Sequence, residues 1–333
     1  MGITGVGITG IGTYLPEKIL TNAMLSDKVN LDDDWIYTRT GIRERRIAAD
    51  DQAPSDLGAA AARKAMENAG VAADEIDLVI VATGTADMQF PATSCIIQEL
   101  LQLKNAAAFD ITAGCTGFIY ALSVGSQFIA GGVYQTILVI GAEVISRIID
   151  WDDPETCILF GDGAGAVVLQ STTPGYGLLS AKLGADGSGG KHLLMPAGGT
   201  RLPNTPQTLA EKLNKLKMNG MEVFRFAVKI LPKVTLQALA AARLSMEDVS
   251  LIIPHQANRH IIEAAARRMD LPMEKFMLNL DRYGNMSAAS VPVALCEAVE
   301  AGRVKHDDVV VLTAFGAGLT WGSVVLRWQD PSR

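Results

Sequence analysis

The stretch Asn68-Ala69-Gly70-Val71-Ala72-Ala73-Asp74-Glu75-Ile76-Asp77-Leu78-Val79-Ile80 returns as Ala241-Ala242-Arg243-Leu244-Ser245-Met246-Glu247-Asp248-Val249-Ser250-Leu251-Ile252-Ile253, at an offset of 173 residues. Each copy reads as the end of an Ala-rich helix, an acidic turn and an apolar strand. A second match lies at an offset of 170 residues. From Cys115 a helical stretch runs to Gly132 before a strand at 137–140; from Asn285 one runs to Gly302 before a strand at 309–312. Such units recur by chance in α/β proteins, but two matches at nearly one offset argue for a duplicated unit. The expected halves are residues 1–172 and 173–333.

Outward from the repeat, short apolar strands alternate with helices. A helix over Ala59–Ala69 precedes a strand at Leu78–Ala82, and one over Thr116–Ala130 precedes a strand at Ile137–Ala142. Near-continuous apolar strands point to an α/β fold with its sheets covered on both faces. Gly184–Pro206 is rich in Gly and Pro and reads as a functional loop or lid. Leu209, Leu213 and Leu216 then predict an amphipathic helix. Gly5-Val6-Gly7-Ile8-Thr9-Gly10 matches a dinucleotide fingerprint, but Gly12 and Pro16 follow where a helix would run, so a strand or hairpin is expected. Phe160-Gly161-Asp162-Gly163-Ala164-Gly165-Ala166 leads into a strand at Val167–Leu169 and reads as a close-packed turn.

Of 333 residues, 49% are hydrophobic, and 36 acidic side chains outnumber 29 basic ones. Enough of the chain can be buried to exclude bulk disorder. The acidic balance excludes a general nucleic-acid binder. No run reaches the ~18 apolar residues of a membrane span. Met1–Pro16 lacks the pattern of a secretory leader, and the Asn285-Met286-Ser287 sequon is read as formal only. Four dispersed cysteines, Cys95, Cys115, Cys157 and Cys296, suggest neither disulfides nor a zinc site, and a reducing cytoplasm is expected.

Three residues carry chemistry. Cys115 lies at a strand-to-helix junction between Gly114 and Gly117, where the helix dipole favours a thiolate. Cys95, Cys157 and Cys296 are expected to be buried structural thiols. His255 follows the strand Leu251–Ile253, at the kind of strand end where α/β sheets gather ligands. Asn285 stands at a loop-to-helix junction, where capping is the ordinary role; the repeat makes it the counterpart of Cys115. Cys, His and Asn together suggest nucleophilic acyl transfer. Papain-like peptidases share the trio and its spacing, but carry their Cys near the mature N-terminus in another motif.

Six separated motifs then resemble bacterial β-ketoacyl-acyl-carrier-protein synthase III: Trp35–Ile42, the Cys115 segment, Phe160–Ala166, the His255 segment, Gly284-Asn285, and Ala314–Gly322. The resemblance runs almost end to end. It implies a thiolase-like five-layered αβαβα fold, a homodimer, and a decarboxylative Claisen condensation that starts fatty-acid synthesis. Cys115 would take the acyl group from a short acyl-CoA primer, with the backbone N–H groups of Cys115 and Ala317 as oxyanion hole. His255 and Asn285 would stabilise the enolate from malonyl-carrier protein. No metal or cofactor is implied.

By the same resemblance Trp35, Arg39 and Asn258 would bind CoA. Gln256, Ala257, Asn258, Arg259 and His260 would meet the acyl-carrier protein, with Arg225, Arg267 and Arg268 as further candidates for its acidic surface. Phe90 would reach the partner's acyl pocket. Two positions depart from the family: Ala317 stands where Gly is commoner, and Pro154 where an Arg often stacks on the adenine. An acyltransferase of polyketide or other specialised metabolism is the second expectation.

Overall fold

The computed structural model describes residues 5–29 and 31–330. Met1–Thr4 and Pro331–Arg333, at the outer ends of the two expected halves, lie outside them. The chain begins with β1 (Gly5–Tyr14), β2 (Lys18–Thr21), α1 (Asn22–Val29), α2 (Asp33–Thr40) and β3 (Glu44–Ile47). Next come α3 (Pro54–Ala69), β4 (Leu78–Ala82), α4 (Thr93–Leu100), β5 (Ala107–Ile111), α5 (Gly117–Ala130), β6 (Ile137–Glu143) and β7 (Gly163–Thr172). Then follow β8 (Gly177–Ala185), β9 (Leu193–Leu194), α6 (Pro206–Ala210), β10 (Lys217–Met218) and α7 (Gly220–Ala241). The chain closes with β11 (Val249–Pro254), α8 (Arg259–Arg268), α9 (Leu280–Tyr283), α10 (Ser290–Glu300), β12 (Val309–Gly316) and β13 (Thr320–Arg327).

Two sheets repeat one topology. The first runs β1-β7-β6-β4-β5, and the second, read from the matching edge, β8-β13-β12-β11. A single parallel bridge between Ile252 and Phe276 stands where the second sheet's fifth strand would be. In β4 the even positions Leu78, Ile80 and Ala82 face a core shared with the second sheet. Val79 and Val81 face α3. α5 and α10 fill the shared core, through Phe118, Leu122, Val291 and Leu295 among others. α7 and α8 cover the far face of the second sheet. Alternation along the strands therefore produces five layers, αβαβα, with the central strands β4, β6 and β12 buried on both faces.

The glycines of β1 are explained by packing. A Cβ on Gly10 or Gly12 would strike the α3 backbone at Ala65 or Ala61, so these residues let helix and strand close together. The Leu209–Leu216 helix does not form as expected. α6 stops at Ala210, and Lys212 turns to φ 53°. Leu213 N–H then returns to the Thr208 carbonyl at 2.9 Å, which ends the helix. Cys157 and Cys296 are buried, but Cys95 is exposed, because it falls on the outward side of α4. Among the described residues no helix is long and apolar enough to cross a membrane.

Candidate active site

The site is built where strands of both sheets end. β5 leads through Thr112 and Ala113 into a 3-10 turn at Gly114–Thr116, and α5 begins at Gly117. Gly114 takes φ 52°, open to glycine without strain, and this turn presents Cys115. His255 follows β11, and its N–H donates to the Thr313 carbonyl at 2.8 Å. Asn285 is clasped from behind: its N–H donates to Leu159 at 2.8 Å and its carbonyl accepts from Gly161 at 3.0 Å. Its side-chain Oδ1 accepts from the Ser287 N–H at 2.8 Å, so the amide NH2 is the end free for a ligand.

Cys115, His255 and Asn285 line one cavity of about 380 Å3, together with Gly316 and Ala317. Its walls are apolar, with Ile148, Leu159, Leu193, Leu216, Met218 and Phe224 among them, and among the described residues no Asp, Glu, Lys or Arg lines it. Leu193–Met195, from the Gly- and Pro-rich segment, belong to this wall. In such surroundings developing charge must be met by oriented N–H groups. Thr116 donates to Thr320 at 2.8 Å and Thr320 donates to the Ala317 carbonyl at 2.9 Å, which locks Ala317 against the Cys115 turn. Ala317 keeps an ordinary negative φ; Gly318 beside it takes φ 140°. Ala in place of Gly is therefore unstrained there.

The expected thiolate is not what the resting site holds. Burial pushes the Cys115 thiol up to about 12, and the nearby Glu143 charge adds to the rise. The dipole of α5 acts on a group already removed from water, and desolvation wins. Burial likewise pushes His255 down to about 3, so its imidazole is neutral. Its Nδ1 is sealed in protein without a partner, which leaves Nε2 as the nitrogen that can serve the cavity.

Trp35 and Arg39 lie together on α2, with the guanidinium 5.5 Å from the indole centroid. Asn258 joins this helix to the cavity wall, donating to the Arg39 carbonyl at 3.0 Å. Its Oδ1 caps α8 through the His260 N–H. Pro154 is exposed. Gln256 cannot meet a docking protein: it is fully buried, with its amide held by Pro254, Met277 and Asn279. Ala257 lines the cavity. Arg259 and His260 are exposed but engaged, Arg259 with Glu263 at 2.8 Å and His260 with the Thr38 carbonyl at 2.7 Å. Arg225 is paired with Glu222 at 2.7 Å, while Arg267 and Arg268 are exposed. Phe90 is 87% exposed and lies outside this chain's own cavity.

A family profile described as 3-oxoacyl-[acyl-carrier-protein (ACP)] synthase III matches residues 109–187, and its C-terminal counterpart matches residues 239–328. The β-ketoacyl-[acyl-carrier-protein] synthase III of Caldanaerobacter subterraneus subsp. tengcongensis is 53% identical over 323 residues, 97% of this chain and 98% of its own length. The chain belongs to the synthase III family. The crystal structure of the Aquifex aeolicus 3-oxoacyl-[acyl-carrier-protein] synthase III superposes with a TM-score of 0.90 at 43% identity, covering 97% of this chain and 100% of the other. A priming β-ketosynthase of a polyketide biosynthetic pathway gives 0.91 at 34% identity, covering 99% and 98%.

Within this family site, sequence reading missed Glu143, Ser287, Thr320 and Gly316. Glu143 left a signal: it is the only charged residue in the strand Ile137–Glu143. The others owe their place to contacts between segments far apart in sequence.

Proposed function

We propose that this enzyme carries out a decarboxylative Claisen condensation between a short acyl-CoA primer and malonyl-acyl-carrier protein, starting fatty-acid synthesis. The convergence of Cys115, His255 and Asn285 on one uncharged cavity carries the reading. The Cys115 sulfur attacks the acyl thioester and the CoA thiol leaves. The N–H groups of Cys115 and Ala317 receive the oxyanion. Malonyl-carrier protein then loses carbon dioxide. His255 Nε2–H and the Asn285 NH2 donate to the enolate oxygen, and the carbanion attacks the acyl group to give 3-ketoacyl-carrier protein. No residue need supply a base for carbon, because the departing carboxylate leaves its electron pair there.

Trp35 and Arg39 supply a stacking face and a cation for the nucleotide end of CoA, without a second stacking partner at Pro154. Arg259, His260, Arg267 and Arg268 offer an acidic carrier its dock, and Ala257 and Asn258 border the path inward. Phe90 fits a place in a partner subunit's pocket, in a homodimer. The two halves, 1–172 and 173–333, are copies of one unit. Labelled acetyl-CoA should mark the Cys115 peptide, and no label there would refute the acyl-enzyme. The likeness to a polyketide priming enzyme supports a second reading, a starter acyltransferase of specialised metabolism. Turnover with malonyl-carrier protein across a panel of acyl-CoA primers separates the two.

A further inference from the structure

Behind the cavity one chain of hydrogen bonds joins the turn that carries His255 to the turn that carries Asn285. Gln256, next to His255, is fully buried. Its NH2 donates to the Pro254 carbonyl at 2.8 Å, on the other side of His255, and to the Met277 carbonyl at 3.1 Å. Its Oε1 accepts the Asn279 N–H at 3.1 Å. Asn279, also fully buried, donates its own NH2 to Glu297 on α10 at 2.9 Å. Glu297 in turn holds the two residues that lead into Gly284-Asn285. The Tyr283 hydroxyl donates to it at 2.6 Å, and Arg282 donates to both of its oxygens, at 3.0 and 2.9 Å.

The joint needs a carboxylate. Oε1 of Glu297 accepts from Tyr283 and Arg282, and Oε2 accepts from Asn279 and Arg282, so both oxygens are used twice. The two-pronged guanidinium contact fixes orientation as well as charge. Asn279 Oδ1 is buried without a partner, and the amide keeps that orientation because the opposite one would aim a carbonyl oxygen at the carboxylate. Burial and the Glu297 contact push the Tyr283 phenol up to about 12, so it remains a donor at neutral pH. α9 is a single turn of four residues, too short to hold its own shape, and Glu297 grips the residues at both of its ends. Among the described residues no hydrogen bond joins these five side chains to the Gly114–Gly117 turn, which is held by Thr320 instead.

We infer that Glu297 is a positioning residue for the condensation step: through Asn279 and Gln256 on one side, and Arg282 and Tyr283 on the other, it sets the spacing of His255 and Asn285. The inference rests on the enolate reading above, in which His255 Nε2–H and the Asn285 NH2 meet one oxygen. Two donors serve one oxygen only when each lies about 2.7–3.1 Å from it, so their mutual spacing has little slack. Glu297 does not line the cavity and acts only through the residues it holds. Acylation of Cys115 draws on the N–H groups of Cys115 and Ala317, which stand outside this chain of contacts. Glu297 therefore serves the second step of the reaction and not the first.

The test follows both steps in the full protein: acylation of Cys115 by acetyl-CoA, read by intact mass, and release of labelled carbon dioxide from malonyl-carrier protein by the acylated enzyme. Glu297→Gln keeps the shape of the side chain but turns an NH2 toward donors that need an acceptor. Release should slow about tenfold to a hundredfold, the scale of a misplacement of about 1 Å. Acylation should keep the parent rate, and the KM for malonyl-carrier protein should hold, because a contact that matters only at the enolate shows in kcat. Should Glu297→Gln fold poorly, Tyr283→Phe deletes one hydroxyl and keeps the ring, and it should slow release while sparing acylation. Equal losses in both steps would mean a general structural role and overturn the inference. Release at the parent rate in either variant would overturn it alone. No release of carbon dioxide by the unsubstituted, acylated protein would overturn it together with the condensation reading.

Discussion

Gly316→Ala puts the closeness of the nucleophile turn to β12 under direct strain. A Cβ at Gly316 would lie 2.7 Å from the Cys115 nitrogen and 2.9 Å from its Cβ. Ordinary contact begins at 3.4 Å, so the two segments must part by roughly 0.7 Å. The atoms met are backbone and Cβ of a locked turn, so no flexible side-chain end can swing away. The displaced nitrogen is also an expected oxyanion donor. Misplacing a reacting group by about 1 Å costs around a hundredfold, so acylation should slow about tenfold to a hundredfold. Overpacking of this kind costs about 1–3 kcal/mol of stability, which a protein of this size should survive folded. The assay is the single-turnover rate of acyl-enzyme formation from acetyl-CoA, with chemical denaturation run alongside. Gly199→Ala, where a Cβ meets nothing within 4 Å, is the control and should match the parent. A folded Gly316→Ala protein that acylates at the parent rate would refute the argument that this contact sets the geometry of Cys115.

Three further expectations concern the other residues. Asn285→Ala should abolish release of carbon dioxide from malonyl-carrier protein while acylation of Cys115 persists; loss of both together would remove the enolate role. His255 is neutral when folded down to about pH 3 but ionises near 6.5 when unfolded, so the unfolded chain binds the extra proton between those values. Stability from this group is therefore complete above 6.5 and lost as pH falls through that window, and His255→Asn should flatten the acid side of the melting profile. An unchanged acid slope would contradict it. Arg45→Met deletes a fully buried guanidinium that bonds Leu20 O at 3.2 Å, Asn22 Oδ1 at 2.8 Å and Ile158 O at 2.6 Å. Three acceptors lose their donor, at a cost of about 3 kcal/mol or more by denaturant unfolding, and a negligible loss would show that they find other partners.

The layered architecture was legible because it is written in alternation and repetition. β4 runs from Leu78 to Ala82 in the structure as in the sequence reading, since five consecutive apolar residues between turn signals leave little choice. The amphipathic spacing of Leu209, Leu213 and Leu216 misled, because Leu213 and Leu216 contact other segments. The Leu213 carbonyl meets the Ala197 N–H at 2.8 Å and the Leu216 N–H meets Ile148 at 2.8 Å. Periodicity records which residues seek burial, but Leu216 finds it in the cavity wall and Leu213 lies past the end of α6, so the two do not share one helix face.

The electrostatics of the site were the least legible part, for a reason visible in Cys115 itself. A helix start and small neighbours are local facts, and they favour a thiolate. Desolvation depends on what closes over the sulfur. Here that includes Gly316 from the far end of the chain and Ser287 from the second sheet's side of the site. Those segments lie some 170 and 200 residues away in the chain, and the burial they complete raises the thiol although the Ser287 side chain itself lowers it. The consequence is chemical. A site that rests as a thiol needs somewhere to send its proton at the moment of attack. His255, neutral and sealed at Nδ1, holds a proton poorly. The burial that raises the Cys115 thiol raises the Glu143 carboxyl as well, so neither group can be read from its own place in the sequence.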